Sequence, residues 1–361
     1  MIQLLDKVNF DWMKYRRYFI ALSVILMLAG LGSAIIRQAV PGGTDAFNLG
    51  VDFKGGTVVT VKFLKQRPGD DQLRAQFAQQ GLGEAIIQPT DKADEVLVKV
   101  PRQSAGQAVS AEQEAAEVDA GGVLVKKALD TFGAEGDAYQ ILSKEAVGEV
   151  AGQQLRIQAI SVTLLALIGM LLYIAARYEW TYGAAAAITV FHDVLVTLGF
   201  FSIFQWEVSL TVIAALLTLV GFSVNDTIVT FDRVRENLRL HRRQSLYSIT
   251  NDAINQTLSR TIITGGLVFL SVLALVLFGG EVLRGFSLAL FIGIIVGTYS
   301  TIAIASPIMV WWQQRIDAAK SSREQKTKGQ TPGGGGGRPP LARKAKAGGG
   351  VVNQPQGAGR T

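Results

Sequence analysis

The chain has 361 residues, of which 49% are hydrophobic and 18% are charged. Soluble domains carry about a quarter charged residues, so this composition favours a membrane protein over one large soluble core. The absence of cysteine excludes disulfides and thiolate metal ligands, and the only histidines are His192 and His241. We therefore expect neither a metal nor a cofactor.

Six runs of mostly apolar residues have the length of about 20 residues that a helix needs to cross a bilayer. They are residues 18–36, 157–176, 181–204, 208–231, 261–280 and 285–314. Trp311 and Trp312, near the end of the last run, are typical of an interfacial anchor. The sequence predicts an all-α bundle of six transmembrane helices.

The distribution of Lys and Arg predicts the orientation of these spans. Four Lys or Arg residues lie in 1–17, six in the connection 232–260 and ten after residue 314. In contrast, there is none in 205–207 and only one in 279–284. The positive-inside rule then places both termini in the cytoplasm. The net charge of +6 is explained by cytoplasmic flanks beside anionic lipid, so we do not expect nucleic-acid binding.

Residues 37–154 separate the first two spans and are predicted to form an extracytoplasmic domain. Alternating β-branched stretches favour strands, and apolar residues at helical spacing favour helices. In chain order these are a strand at 57–64, a helix at 70–80, strands at 85–88 and 95–100, a helix at 122–132 and a strand at 139–142. The order β-α-β-β-α-β is that of an α+β ferredoxin-like domain. Residues 101–121 are predicted to be a low-complexity linker.

The last part of the chain, residues 321–361, includes five consecutive glycines and a basic stretch at 343–346. It has too few apolar residues to offset the entropy of ordering. It is therefore predicted to be a disordered cytoplasmic tail.

Asp226, in the fourth predicted span, is the strongest candidate for function. A carboxylate at a helix centre costs about 2.5–3.5 kcal/mol on insertion scales, so such residues usually face the bundle interior. Arg260 opens the fifth span at a comparable depth, so that the two side chains could meet. A guanidinium favours the ionised carboxyl and desolvation favours the protonated one. Residue types alone leave a proton relay and a static ion pair equally open.

His192 and Asp193 are polar residues near the middle of the third span. Adjacent helical residues point about 100° apart, so we do not expect these two side chains to face one another. A second relay station is one interpretation of this pair. Polar packing between helices is the other, and the residues favour it.

Glycines are spaced for close helix packing at Gly293 and Gly297 in the sixth span and at Gly265 and Gly266 in the fifth. Gly55-Gly56 is typical of a turn before the first strand. The chain has no P-loop, nucleophile elbow or metal-ligand spacing. We therefore expect a transport protein driven by a gradient or a partner, not an enzyme.

Several passages of this sequence resemble one family. They are LLDKVNFDWMKYRRYF, NLGVDFKGGT, FHDVLVTLGFF, LTVIAALLTLVGFSVNDTIVTFDRVREN, TLSRTIITGGLVFLSVLALVLFGG and LRGFSLALFIGIIVGTYSTIAIASP. Together they are similar to the SecF branch of the SecD/SecF family, within the RND superfamily. The ND-x-IV-x-x-DR-x-REN passage is the most specific. The linker after Pro101 and the tail depart from the family pattern.

The resemblance implies a subunit that pairs with SecD in a twelve-helix SecDF complex of the cell inner membrane. It implies partnership with the SecYEG translocon and YajC, and use of the proton-motive force to draw out preproteins that SecA has driven in. It also implies proton passage at Asp226 and Arg260, with Asn225, Asp193 and His192 in support, and so favours the relay over the ion pair. The remaining alternatives are an RND-type exporter of a small molecule or lipid and a purely structural translocon subunit.

Overall fold

The computed structural model describes residues 9–40, 45–90, 92–101, 111–177 and 180–329. The helices in these ranges are α1 (Arg16–Ala39), α2 (Val51–Lys54), α3 (Asp70–Gln79), α4 (Ala111–Leu129), α5 (Glu149–Arg177), α6 (Trp180–Phe204), α7 (Leu210–Leu240), α8 (Leu246–Phe278), α9 (Gly280–Ser300) and α10 (Ser306–Gly329). The strands are β1 (Asn48–Leu49), β2 (Gly56–Phe63), β3 (Ile86–Pro89), β4 (Glu95–Pro101), β5 (Tyr139–Val147) and β6 (Glu207–Val208).

Six helical stretches in these ranges are long and apolar enough to cross a membrane. They lie in α1, α5, α6, α7, α8 and the continuous path from α9 into α10. Helices α7 and α8 extend well into the predicted connection 232–260, which is therefore mostly helical. The chain is a multi-pass membrane protein, and its six predicted spans each fall on one of these helical stretches.

The sixth span is not one regular α-helix. A π-helical turn, Thr301–Ala305, separates α9 from α10. Residues 316–329 belong to a second unit of the chain and are helical. The prediction of disorder from residue 321 is thus wrong up to residue 329, and the rest of that predicted tail lies outside the described residues.

Strands β2 to β5 form a four-stranded sheet in the order β3-β4-β2-β5, with antiparallel pairing throughout. Its elements follow one another as β2-α3-β3-β4-α4-β5, the predicted β-α-β-β-α-β order. Strand β5 is longer than predicted because it pairs with β2 along its whole length, from Phe63↔Tyr139 to Gly56↔Val147. Antiparallel pairing gives the backbone of β5 hydrogen-bond partners on the side that faces β2, with one register shift between Thr60 and Val61.

Alternation along β2 places one face of this sheet against a core. Val59, Val61 and Phe63 are buried there, together with residues of α3 and α4 such as Phe77 and Val125. Helix α4 begins at Ala111, so the linker predicted at 101–121 is wrong over its second half. Residues 102–110 of that prediction lie outside the described ranges.

The two glycines of the predicted turn before β2 have backbone conformations that favour glycine. Gly55 has φ 78° and Gly56 has φ 143°. A Cβ atom on Gly56 would also collide with the carbonyl oxygen of Val100 on β4. The turn interpretation is confirmed, since β2 can begin beside β4 only if this position has no side chain.

Small residues allow the membrane helices to approach closely. A Cβ on Gly293 of α9 would lie 2.6 Å from Cδ2 of Leu219 on α7, which confirms the packing interpretation of that glycine. A Cβ on Gly265 would lie 3.2 Å from Oγ1 of Thr298, whereas one on Gly266 would meet no atom within 4 Å, so the prediction for Gly266 is wrong. The same criterion reveals a contact of α1 with α6 that the sequence analysis missed, where a Cβ on Gly199 would lie 2.9 Å from Cα of Gly30.

Candidate functional site

Asp226 lies on α7 with its carboxyl group buried inside the helix bundle, 9% of the residue being exposed. Its Oδ1 atom accepts a 2.7 Å hydrogen bond from the hydroxyl of Thr261 on α8. Its Oδ2 atom is buried and has no hydrogen-bond partner among the described residues. A buried charged oxygen without a donor is costly, whereas a protonated one removes the charge. One side of this carboxyl group is therefore chemically suited to take up a proton.

Arg260 lies beside Thr261 on α8 and is exposed. Arg260 is near enough for its positive charge to act on the Asp226 carboxyl, but no hydrogen bond or ion pair joins the two side chains in the described part of the chain. Asn225, the neighbour of Asp226 on α7, is also exposed. The predicted pair is thus brought to one region of the α7–α8 interface, with Thr261 and not Arg260 as the direct partner of the carboxyl group.

The π-helical turn of the sixth span begins next to this carboxyl group. The hydroxyl of Thr301, its first residue, lies near Asp226 and makes a 3.0 Å hydrogen bond with the hydroxyl of Thr227 on α7. Ser306 donates to the carbonyl of Thr301 across the turn, at 3.0 Å. Short π-helical turns are frequent at functional sites because they re-aim side chains within an otherwise regular helix.

Asp193 on α6 occupies a second polar cluster and is 1% exposed. Its Oδ2 atom accepts hydrogen bonds from Ser223 on α7, at 2.5 Å, and from Ser300 on α9, at 2.8 Å. This carboxyl group therefore ties three helices together. Both carboxyl oxygens of Asp193 have polar partners, whereas only one oxygen of Asp226 has a hydrogen-bond partner among the described residues. This difference agrees with the polar-packing interpretation of Asp193.

The prediction that His192 and Asp193 do not face one another is wrong. Nδ1 of His192 lies 2.9 Å from Oδ1 of Asp193. The Cβ directions of adjacent residues diverge, but rotation about the side-chain torsions swings the ring back to the neighbouring carboxylate. The other ring nitrogen, Nε2, is buried without a hydrogen-bond partner among the residues described.

The two carboxyl groups lie along one seam between α7 and α9. Ser223 and Asp226 are three residues apart on α7, so they share a face, and on the other side Ser300 directly precedes Thr301. Sequence reasoning missed the hydroxyl residues that complete this seam: Ser223, Thr227, Thr261, Ser300 and Thr301. The available signal was the presence of Ser and Thr within apolar spans, where hydroxyls often bond across helices.

Comparisons with known proteins agree with this architecture. Residues 126–315 match the family described as protein export membrane protein SecD/SecF, C-terminal, and residues 43–63 match the SecD/SecF GG motif. The protein translocase subunit SecF of Koribacter versatilis is 39% identical, over 87% of this chain and 94% of that protein. The protein of the same name from Pseudomonas aeruginosa is 38% identical, over 83% and 90%.

A solved structure gives the same answer for the fold. The crystal structure of SecDF, a translocon-associated membrane protein from Thermus thermophilus, matches with a TM-score of 0.69 and 36% identity. The match covers 87% of this chain and 40% of the SecDF chain. The resemblance inferred from the sequence motifs is confirmed. The chain belongs to the SecD/SecF family of protein export membrane proteins, in which its relatives are SecF-type protein translocase subunits.

Proposed function

We propose that this chain uses the proton-motive force to assist protein translocation, and that Asp226 is the group that binds and releases the proton. The observation that carries the proposal is its buried carboxyl group, held on one oxygen by Thr261 and unpaired on the other. Ionisable groups inside a membrane bundle are expensive and commonly mark ion pathways. Asp193 is a supporting group, since its acceptor positions are already occupied.

In this proposal, protonation of Asp226 changes the forces across the α7–α8 interface. The ionised carboxyl attracts Arg260 and accepts strongly from Thr261, whereas the neutral carboxyl attracts the guanidinium much less. A proton can shift a conformational equilibrium only by its different affinity for the two states. A difference of one pKa unit between the states corresponds to about 1.4 kcal/mol. Exchange of a proton at this site thus biases the packing of α7 against α8.

A partner subunit is part of the proposal because polar side chains reach the surface of the bundle. Asn225 and Arg260 are exposed on the region where Asp226 lies, and such groups are costly against lipid. A SecD chain, joined in a twelve-helix SecDF unit, would cover them. The SecDF relative supports this arrangement, since this chain matches 40% of its length and leaves the rest for a SecD-like part.

The proposed location is the inner membrane, with both termini in the cytoplasm. The Lys and Arg distribution supports this orientation, and it places the four-stranded sheet outside the cytoplasm. The strand order β3-β4-β2-β5 supports a ferredoxin-like fold for that domain. The partners of the assembly would be SecYEG, YajC and a preprotein that SecA has driven into the channel.

The test measures preprotein export into inverted vesicles that hold this chain, SecD and SecYEG. Asp226→Asn should insert and pair with SecD but lose the stimulation that a proton gradient gives. Asp252→Asn, a carboxylate change on α8 outside the seam, is the matched control and should keep it. A purely structural subunit predicts full stimulation in the Asp226→Asn variant. An exporter of small molecules or lipids predicts no effect of either variant on preproteins.

A further inference from the structure

The segment that precedes the sheet domain is bound to the start of α7. We call residues 48–56, which end in the two glycines before β2, the motif segment. Its strand β1 pairs in parallel with β6, with Asn48 opposite Glu207 and Leu49 opposite Val208. The backbone N–H of Gly50 donates to the carbonyl of Val208 at 2.8 Å. Since β6 directly precedes α7, this pairing joins the domain to the hairpin of α6 and α7.

Asp52, in the same segment, caps the N-terminus of α7 from a distance of 158 residues along the chain. Its Oδ2 atom accepts a 2.9 Å hydrogen bond from the backbone N–H of Leu210, the first residue of the helix. The local N-cap residue, Ser209, makes no capping bond, and its hydroxyl is instead 2.8 Å from that of Thr211. The first N–H groups of a helix have no partner within the helix and favour a carboxylate.

Two further contacts hold the sheet domain at the same place. Phe53 follows Asp52 and is buried in an apolar cluster with Phe201 of α6 and residues of α7. Lys99 of β4 forms a 2.5 Å ion pair with Glu207 of β6, and both side chains are largely buried. The sheet domain is therefore attached non-covalently to the α6–α7 hairpin. The motif segment also packs against the start of α5, where a Cβ on Gly152 would lie 3.2 Å from the carbonyl oxygen of Phe53.

We propose that Asp52 is a positioning residue that couples α7 to the sheet domain. The inference rests on the proposed role of Asp226. This residue lies sixteen residues after Leu210 on α7, a distance of about 24 Å at 1.5 Å per residue. A helix is stiff along its axis, so a shift of α7 at the Asp226 level also moves the capped N-terminus. The carboxylate of Asp52 and the pairing of β1 with β6 pass that shift to β2 through the Gly55-Gly56 turn.

The capping bond can be removed from either side. Asp52→Ala removes the acceptor, and Leu210→Pro removes the donor while leaving Asp52 intact. Proline is well tolerated at the first helical position, and Ser209 already has the extended backbone that a residue before proline prefers, with φ −119° and ψ 176°. Asp52→Asn keeps an acceptor oxygen and is nearly as good a cap. Asp45→Ala, which removes a surface ion pair with Lys54 near the same segment, is the matched control.

The readout combines proton flux, export and a distance in vesicles that hold this chain with SecD and SecYEG. Because the chain has no cysteine, two spin labels can be attached at introduced cysteines without labelling any other position of this chain. The variants are Leu142→Cys in β5 and Phe204→Cys in α6, both at exposed positions. Asp52→Ala and Leu210→Pro should each broaden the distribution of distances between the two labels. Each should also lose at least half of the gradient-stimulated export, while proton flux is retained. Asp52→Asn and Asp45→Ala should keep the narrow distance and the stimulation.

The inference is overturned if Asp52→Ala and Leu210→Pro both keep the narrow distance or both keep wild-type stimulation, or if Asp52→Asn fails as completely as Asp52→Ala. Failure of the proposed relay looks different. In that case Asp226→Asn retains proton flux, while the distance between the labels still depends on Asp52.

Discussion

Thr261 donates a 2.7 Å hydrogen bond to Oδ1 of Asp226, and this bond joins α8 to the buried carboxyl group of α7. It fixes one oxygen of the carboxyl group and so directs the other, Oδ2, into a position where none of the described residues donates to it. In the proposed relay, the role of Thr261 is therefore to orient the carboxyl group of Asp226.

Thr261→Val should impair gradient-stimulated export because the carboxyl group loses its orienting donor. Hydrogen bonds to charged groups contribute about 1.5–3 kcal/mol, which corresponds to a loss of roughly tenfold or more in the occupancy of the oriented state. Thr261→Ser keeps the hydroxyl and should retain most of the activity. Equal export by the valine and serine variants would show that the bond is not used.

The Asp193 cluster should contribute to stability more than to export. Ser223→Ala and Ser300→Ala each remove one donor to a buried carboxylate, so each should lower the stability by about 1.5–3 kcal/mol. The double variant should depart from additivity, since both donors serve the same oxygen. Thermal unfolding in detergent measures the effect. Variants that unfold like the wild type but lose export would instead make Asp193 a second relay station.

Gly293 and Gly266 form a matched pair for testing helix packing. Gly293→Ala places a Cβ 2.6 Å from Leu219, so it should destabilise the bundle by about 1–3 kcal/mol through overpacking. Gly266→Ala meets no atom within 4 Å and should be neutral or slightly stabilising, since Ala favours helix by up to about 1 kcal/mol. Thermal unfolding should therefore show a lower transition temperature for Gly293→Ala and an unchanged or slightly higher one for Gly266→Ala. The cost of Gly293→Ala should be smaller in a Leu219→Ala background, because the clashing side chain is then absent.

The sheet domain should lose stability at alkaline pH. Burial raises the pKa of Tyr139, and its 2.6 Å hydrogen bond to Asp130 raises it further. The folded state therefore keeps the proton above the ordinary tyrosine pKa of about 10, while the unfolded state releases it. Stability is fully present below about pH 10 and should fall by up to about 1.4 kcal/mol per pH unit above it.

Pulse proteolysis after urea unfolding, at several pH values around 10, measures this slope. Tyr139→Phe should be less stable at neutral pH but lose the alkaline dependence. Tyr18→Phe, at an exposed position, should leave both unchanged. A slope that persists unaltered in Tyr139→Phe would assign the alkaline transition to another group.

Much of this architecture could be predicted from the sequence because the signals are local. Apolar runs of bilayer length, β-branched alternation in 57–64 and the Gly55-Gly56 turn each depend on a few neighbouring residues. Element ends were less predictable, since β5 continues to Val147 through its pairing with β2 and the sixth span contains a π-helical turn.

The candidate site was only partly predictable for a different reason. Asp226 is recognisable as a charge inside an apolar span. Its partner Thr261 is not, because the pairing depends on how α7 and α8 are rotated about their axes, and one sequence does not define that rotation. The capping of α7 by Asp52 was even less predictable from the sequence, since donor and acceptor are 158 positions apart in the chain.

Proton flux through vesicles that contain this chain with SecD tests the central claim most directly. A pH-sensitive dye inside the vesicles reports the flux when a gradient is applied. We expect Asp226→Asn to abolish the flux that wild type supports, with Asp252→Asn equal to wild type. Flux at the wild-type rate in a correctly inserted Asp226→Asn variant would contradict the account.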